Sequence, residues 1–573
     1  MSEKPKPPKP ERRRRDKAPK PARTKKGPRG EPRASLLSRW RGRSARIQAA
    51  RDERALLAGY RRGVGSRTLG IGFLVALAVL ALVWGFAFGI SAPFYIMPLI
   101  APLPVLALLI IWTLPQGEYA PTKALEPFYL AFLAALTLWP NYICVALPHL
   151  PWLTLLRLTG MPMVIILLIA TSVSKGFRQH MHKTLLSDPI GWKMFLGFIV
   201  IQTLSIAFSS RLALASNKWI VFQTNCTAIF FVSVYVFTIP GFVERWARML
   251  IGLCYCVCFM GLWESAIATL PWAEHIPSLL KVDGELIDSL LAGSARSALG
   301  VHRVQSTATT PLGLAELLGL AAPFALHMAM SRGPAYLRVA GAVYLPLALY
   351  LILLADSRLG IVALMGSVMA YALIWASLLW RRNRNSLLAP AMVLAYPVLL
   401  AMTVLATFAV GALRDKVWGG GAQQASTESR KIQWSLAWPR LFHAPWGHGI
   451  GEASRTIGFV SPNGRGTLDS YYITILMDFG ILGFILFYGM FLRLAWTGGK
   501  AVVQLKPEGE LTMLLPLAVS LINFVIIKSV FSQDANHPLV FMMLGASFAL
   551  TYRAQLQARQ VGYAPTTPSI TRR

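Results

Sequence analysis

Residues 471–494 read YYITILMDFGILGFILFYGMFLRL, with Asp478 and Arg493 the only charges in the stretch. As a helix this run reaches about 36 Å, enough to cross a hydrocarbon core of roughly 30 Å. Immediately before it lies a long polar segment, Leu413–Asp469, which carries Arg430, Lys431, Arg440, His443, His448, Arg455 and Asp469. Structureless connections longer than about 15 residues are either functional or disordered. This one holds Trp418, Trp434, Trp438, Phe442 and Trp446, so it has the means to bury a small core and is expected to be ordered. An apolar span fed by a large ordered loop makes the chain a membrane protein whose chemistry gathers where the loop meets the bilayer.

The rest of the chain agrees with that reading. Apolar residues make up 55% of the 573 positions, charged residues 14%, and the mean hydropathy is +0.50. Backbone groups in lipid must be satisfied within the segment, which favours helices, and no ten-residue alternation suggests a β-barrel. The five cysteines lie in or beside apolar runs, without metal-ligand spacing in any polar loop, and read as packing residues. The formal net charge of +32 is concentrated: residues 1–67 hold 23 Lys and Arg against 6 Asp and Glu. A basic segment beside a first span holds that end in the cytoplasm and meets anionic membrane lipids, and this reading displaces nucleic-acid binding. The basic stretch is too long for the start of a signal peptide, and no small-residue cleavage site follows the first apolar run.

Residues 1–33 are expected to form a disordered basic cytoplasmic tail, and 34–67 a basic amphipathic helix on the inner membrane surface. About 14 transmembrane helices follow, at roughly 69–90, 94–114, 124–141, 153–173, 192–208, 219–239, 249–270, 311–330, 338–355, 359–380, 388–411, 471–494, 511–531 and 538–552. Eleven of them fall within 68–411 and three within 471–552, with the large loop 412–470 between and a cytoplasmic tail at 553–573. With both termini inside, every inner loop is basic, as the positive-inside rule requires. The segment 271–310, with Leu279, Leu280, Leu286, Ile287, Leu290 and Leu291, is expected to lie as a helix along the outer surface.

Several arginines stand on the outer face against this trend, and cations placed against a topological preference call for a reason. Guanidinium groups bind phosphate oxygens in pairs and stay charged at any relevant pH. Arg358 opens a span after the Asp356-Ser357 turn and is an interfacial anchor, a salt-bridge partner of Asp356, or a phosphate ligand. Arg430 heads a segment to Phe442 with helical apolar spacing, and is either a solvated charge or a phosphate ligand. Asp469, at the mouth of the span from Tyr471, is either a helix N-cap or a general base held between arginines. His448, in Trp446-Gly-His-Gly-Ile-Gly451, is a turn histidine or a base beside amides that approach a phosphate or sugar. Arg303 and Arg211 are further candidates, and Glu316 is an intramembrane carboxylate either functional or paired with an arginine.

Taken in order, these motifs resemble a family. Asp356-Ser-Arg-Leu-Gly-Ile-Val-Ala363 precedes the loop; Arg430-Lys-Ile-Gln-Trp-Ser-Leu-Ala437 and Pro445-Trp-Gly-His-Gly-Ile-Gly451 lie within it; Asp469-Ser-Tyr-Tyr-Ile473 and Phe479-Gly-Ile-Leu-Gly-Phe484 close it. Over roughly 300–495 the chain is similar to the O-antigen ligase/polymerase superfamily of bacterial integral-membrane glycosyltransferases. The resemblance implies an all-α polytopic protein of the membrane-embedded glycosyltransferase class (GT-C-like), without cofactor or metal, in the bacterial inner membrane. Its donor and acceptor would be glycans on undecaprenyl pyrophosphate at the periplasmic face. By the resemblance Arg358 and Arg430 would bind the donor pyrophosphate; Arg303, Arg211 and Tyr471 stand beside them as further candidate substrate contacts read from the residues themselves, and Asp469 or His448 as the candidate base. Ligases of the superfamily carry a histidine where this chain has Asp469-Ser470, and Asp-Ser-Tyr-Tyr is more like its exopolysaccharide polymerases. The expected activity is therefore a polysaccharide polymerase joining repeat units, with an O-antigen ligase or protein O-oligosaccharyltransferase as the same-class alternative and a transporter or lipid flippase as the different-class one. A chain-length regulator is a further candidate partner.

Overall fold

The computed structural model describes residues 102–560 apart from 147–151, 283, 293, 297–300, 332, 383–386, 410, 412–423, 461–465 and 506. The expected tail 1–33, amphipathic helix 34–67 and span 69–90 lie outside the described residues, as does most of the C-terminal tail.

The described residues form eighteen α-helices and one small hairpin. The first half holds α1 (Pro102–Trp112), α2 (Leu125–Leu138), α3 (Leu155–Val173), α4 (Lys175–Leu185), α5 (Pro189–Leu204), α6 (Leu212–Phe222), α7 (Ala228–Val236), α8 (Phe242–Ile267) and α9 (Glu285–Leu291). Strands β1 (Ser294–Arg296) and β2 (Val301–Arg303) pair antiparallel with Ser294 opposite Arg303. There follow α10 (Pro311–Met330), α11 (Ala335–Leu354), α12 (Arg358–Arg382), α13 (Leu388–Ala409), α14 (Gln424–His443), α15 (Ala453–Ile457), α16 (Tyr471–Leu505), α17 (Leu514–Lys528) and α18 (His537–Gln560). A π-helical turn, Gln223–Thr227, joins α6 to α7 into one span.

Among the described residues, 10 helices are long and apolar enough to cross a membrane. With α13, the shorter α2 and the part of the second span seen as α1, they occupy thirteen of the expected positions. The protein is an all-α polytopic membrane protein. Helices α10, α17 and α18 are buried along most of their length, whereas α3, α5 and α11 are buried on one face. Lipid tails are as apolar as leucine, so such a bundle is held by close packing and buried polar contacts more than by exclusion of water.

The segment 271–310 differs from expectation. Among its described residues helix is confined to Glu285–Leu291, and the others form turns, irregular chain and the hairpin. Its apolar residues do not lie along a surface as one stripe: Val282 and Ile287 pack with Tyr142, Ile143 and Cys144 in a separate small core, while Leu279 is exposed. Gly284, a poor helix former, stands immediately before the short helix.

Helix α16 is interrupted. Gly480 has φ +70° and ψ −172°, a conformation essentially confined to glycine. Breaking the ladder inside an apolar bundle strands backbone groups that must find partners. The Pro445–Gly451 loop supplies them: the His448 amide donates to Met477 O (2.7 Å), the Gly449 amide to Asp478 O (3.2 Å), and the Ile481 amide donates to Pro445 O (2.9 Å). A Cβ at Gly480 would stand 2.2 Å from Pro445 O, and one at Gly447 would stand 2.7 Å from Asp478 O, so both glycines permit the approach. The Asp478 carboxylate completes the joint, accepting from the Gly451 amide (2.9 Å) and the Ala453 amide (2.8 Å).

Candidate active site

One end of the bundle collects the start of α10, the α11–α12 turn, the start of α14, the start of α16 and the α17–α18 link around a single cavity of about 520 Å³. Its polar lining includes Arg303, Asp356, Ser357, Arg358, Arg430, Asp469 and Gln533. Its apolar lining includes Leu312, Leu359, Val362, Leu468, Val530 and Phe531.

Arg358 is placed by local chemistry. Asp356 takes a left-handed φ of +45°, which aspartate tolerates better than most residues, and so α11 reverses into α12 within three residues. Buried Ser357 caps α12, its hydroxyl accepting from the Gly360 amide at 3.2 Å. Arg358 is then the first helical residue, facing the cavity.

Arg303 reaches the same turn from the other side. Its Nε donates to Ala355 O (3.0 Å) and its second arm to Asp356 O (3.4 Å). The strand that presents it is anchored by Glu264, a fully buried carboxylate near the end of α8. Glu264 accepts from the Gln305 amide (3.1 Å), the Ser306 amide (2.6 Å) and lies 2.8 Å from His302 Nε2.

Arg430 and Asp469 come together through Gln433, one turn along α14 from Arg430. The Gln433 side chain is fully buried, and its Oε1 accepts from the Asp469 amide at 2.9 Å. Next door, the Ser470 hydroxyl donates to Ser529 O at 2.7 Å, tying the start of α16 to the end of α17. Asp469 therefore stands two residues ahead of α16 with its carboxyl on the cavity. Burial pushes that carboxyl up from the usual aspartate value, and the Arg430 guanidinium and Gln433 oppose the shift without cancelling it.

The cavity wall from Val530 to Gln533 rests on a buried ion pair. Lys528 Nζ lies 2.8 Å from Glu316 Oε1 and 3.0 Å from Oε2, with both side chains fully buried. Lys528 donates hydrogen bonds to Glu316 Oε2 and to Gln533 O. The Gln533 side chain accepts from Thr310, the N-cap of α10. Glu316 thus pairs with a lysine rather than an arginine.

The remaining candidates from the sequence lie elsewhere. Arg211 is engaged with Glu452, its Nε 3.2 Å from Oε1, and Ser209 and Ser210 donate to the same oxygen. Burial pushes Glu452 up, but these hydrogen bonds outweigh it and hold the carboxyl below the ordinary glutamate range. The clasp fastens the α5–α6 turn to the loop after the glycine motif. His448 is not among the cavity-lining residues. The amides of its motif, expected to be available to a phosphate or sugar, are spent on the break in α16 and on Asp478. Tyr471 is buried behind the cavity, its ring 4.6 Å from that of His537 and 5.5 Å below Lys528 Nζ.

Three residues that organise the site escaped the reading of the sequence. Gln433 carried a signal, standing three positions after Arg430 and so on the same helical face. Glu264 carried a stronger one, as a carboxylate inside an apolar span. Lys528 sat at the edge of a span, where a basic residue passes for an interfacial anchor.

Residues 320–488 match the family model described as O-Antigen ligase, covering α12, Arg430, Gln433 and Asp469. No curated protein matches the chain. Over residues 320–488 the chain is similar to that family, and the match supports a relationship to the O-antigen ligase/polymerase superfamily.

Proposed function

We propose that this protein is a polysaccharide polymerase acting on undecaprenyl-pyrophosphate-linked oligosaccharides at the periplasmic face of the bacterial inner membrane. The observation that carries the reading is the convergence of Arg303, Arg358 and Arg430 with Asp469 around one cavity whose other lining is apolar. A lipid pyrophosphate needs that combination: guanidinium forks for the phosphate oxygens and apolar walls for the start of the isoprenoid chain.

In the proposed step Asp469 takes the proton of a sugar hydroxyl on one lipid-linked unit as that oxygen bonds to the anomeric carbon of another. The bond from that carbon to the pyrophosphate oxygen breaks, and its electron pair leaves with undecaprenyl pyrophosphate. Charge grows on the leaving group as the bond lengthens, so preorganised cations favour the transition state over the ground state. A pyrophosphate is already a good leaving group, and positioning plus cations can drive the transfer without a metal. The raised Asp469 pKa suits a base better than an ordinary carboxylate does.

The matched family description keeps one second reading in view, a ligase that moves finished glycan from the carrier onto another acceptor. Asp469 at the position where ligases of the superfamily carry histidine favours the polymerase. Alanine variants at Arg358 and Arg430 test the assignment: polymer of full length and yield in both would sink it. In a deletion strain, accumulated single repeat units support the polymerase and accumulated long chains on the carrier support the ligase. A transporter is less compatible with the structure, because the break in α16 is filled by the protein's own loop backbone and not left open to a solute.

A further inference from the structure

Helix α14 carries a ridge that the transfer step does not use. From Arg430, on the cavity, the positions 434, 438 and 442 follow at intervals of four and lie along one face. They are Trp434, Trp438 and Phe442. Neighbouring rings are 5.6 Å and 6.0 Å apart between centroids, with interplanar angles of 34° and 25°, so the three lie nearly parallel. Trp434 is half-buried against the core beneath the helix, Trp438 is 48% exposed and Phe442 is 74% exposed. The ridge is thus anchored at the cavity and opens with distance from it.

Exposed aromatic rings on a membrane protein have two ordinary uses. A helix lying in the lipid interface presents an unbroken apolar face. Here exposed Lys431, Ser435 and His443 interleave with Trp438 and Phe442, placing hydrogen-bonding groups beside the rings. That mixture matches a sugar, whose C–H faces pack against the negative face of an aromatic ring while its hydroxyls need donors and acceptors at the edge.

We propose that Trp434, Trp438 and Phe442 form a carbohydrate-stacking subsite that holds the sugar units of the glycan running outward from the pyrophosphate cavity. The proposal rests on the glycosyl-transfer reading of that cavity and assigns a separate set of residues to chain recognition. Holding several sugar units beside the reacting one adds affinity in proportion to glycan length, without changing the charges that act on the leaving group.

The test measures binding apart from turnover. Full-length protein in lipid nanodiscs is titrated with free malto-, cello- and chito-hexaose and with the corresponding monosaccharides, followed by tryptophan fluorescence and by calorimetry. The wild type is expected to bind at least one hexasaccharide more tightly than its monosaccharide, and the double variant W438A/F442A to lose about ten-fold in that affinity. The aromatic exchange W438F/F442W should retain it. Binding of none of the three hexasaccharides by the wild type, or equal binding by the double alanine variant, overturns the subsite. So does a double variant that keeps hexasaccharide binding but becomes unstable only in the bilayer, which would make the ridge a lipid anchor. R358A keeps hexasaccharide binding in this account, so full transfer activity in R358A would refute the transferase reading while leaving the binding result to stand alone.

Discussion

Breaking the Lys528–Glu316 pair should be among the most damaging single changes outside the cavity itself. Both side chains are fully buried, with Nζ 2.8 Å and 3.0 Å from the two carboxylate oxygens, and Lys528 also donates to Gln533 O. Lys528→Met removes two hydrogen bonds and leaves the buried Glu316 carboxylate without its cation. Glu316→Leu leaves an ammonium facing Gln533 O and the Tyr471 and Phe524 rings, each ring 5.5 Å away, without a carboxylate to balance it. Removing one partner of a buried pair costs about 3–5 kcal/mol, while replacing both by apolar groups of similar volume is often close to neutral. Each single variant should therefore lose about 3–5 kcal/mol, and Glu316→Leu/Lys528→Met no more than about 2 kcal/mol. The coupling between the two sites is then at least about 4 kcal/mol, far outside the additivity of independent positions. Reversible unfolding in mixed micelles, followed by tryptophan fluorescence, measures all four corners of the cycle. Single variants within about 0.5 kcal/mol of the wild type, or a double variant that simply sums the singles, would refute the reasoning. Because Val530–Gln533 line the cavity, glycosyl transfer should fall in the singles and largely return in the double.

Three other outcomes follow from the same geometry. Gly480→Ala meets a strained conformation costing about 1–3 kcal/mol and a Cβ 2.2 Å from Pro445 O; the glycine motif should be expelled, seen as faster hydrogen exchange at 447–451 and a lower melting temperature. Gln433→Ala frees the Asp469 amide, and kcat should fall about ten-fold, or ~1.4 kcal/mol in the barrier, with KM little changed in steady-state kinetics. If Asp469 is the base, activity must be lost as pH falls through its raised pKa, on the acid side and above the usual aspartate range. Arg430 opposes that rise, so residual activity in Arg430→Ala should show its acid limb at higher pH, and a limb at lower pH would rule out the pairing.

Much of the architecture was readable without coordinates because lipid imposes a severe rule. Every span must be apolar for about 20 residues and satisfy its own backbone, so thirteen expected positions carry helix among the described residues. The same rule made Arg358, Arg430, Arg303 and Asp469 conspicuous, since charges at a bilayer boundary stand out in a chain this apolar. What failed was the 271–310 segment, where glycine and local packing against Tyr142 and Cys144 outweighed an apolar pattern that suggested one long helix.

Sequence alone therefore determined the class of the fold, the approximate placing of its spans, and the set of charged residues from which a site would be drawn. Only the tertiary structure decided among them. Arg211 and Arg358 are equivalent as letters beside a span, yet one is clasped by Glu452 and the other lines the cavity. The glycine motif around His448 reads as a phosphate cradle until its amides are seen to fill a broken helix. Periodicity and hydropathy are properties of one segment, whereas the partner that consumes a hydrogen bond or a charge comes from a segment far away in the chain. For the run that begins at Tyr471, composition was enough to place it in a membrane, but the break at Gly480 and the loop that fills it arose from contacts no local pattern records.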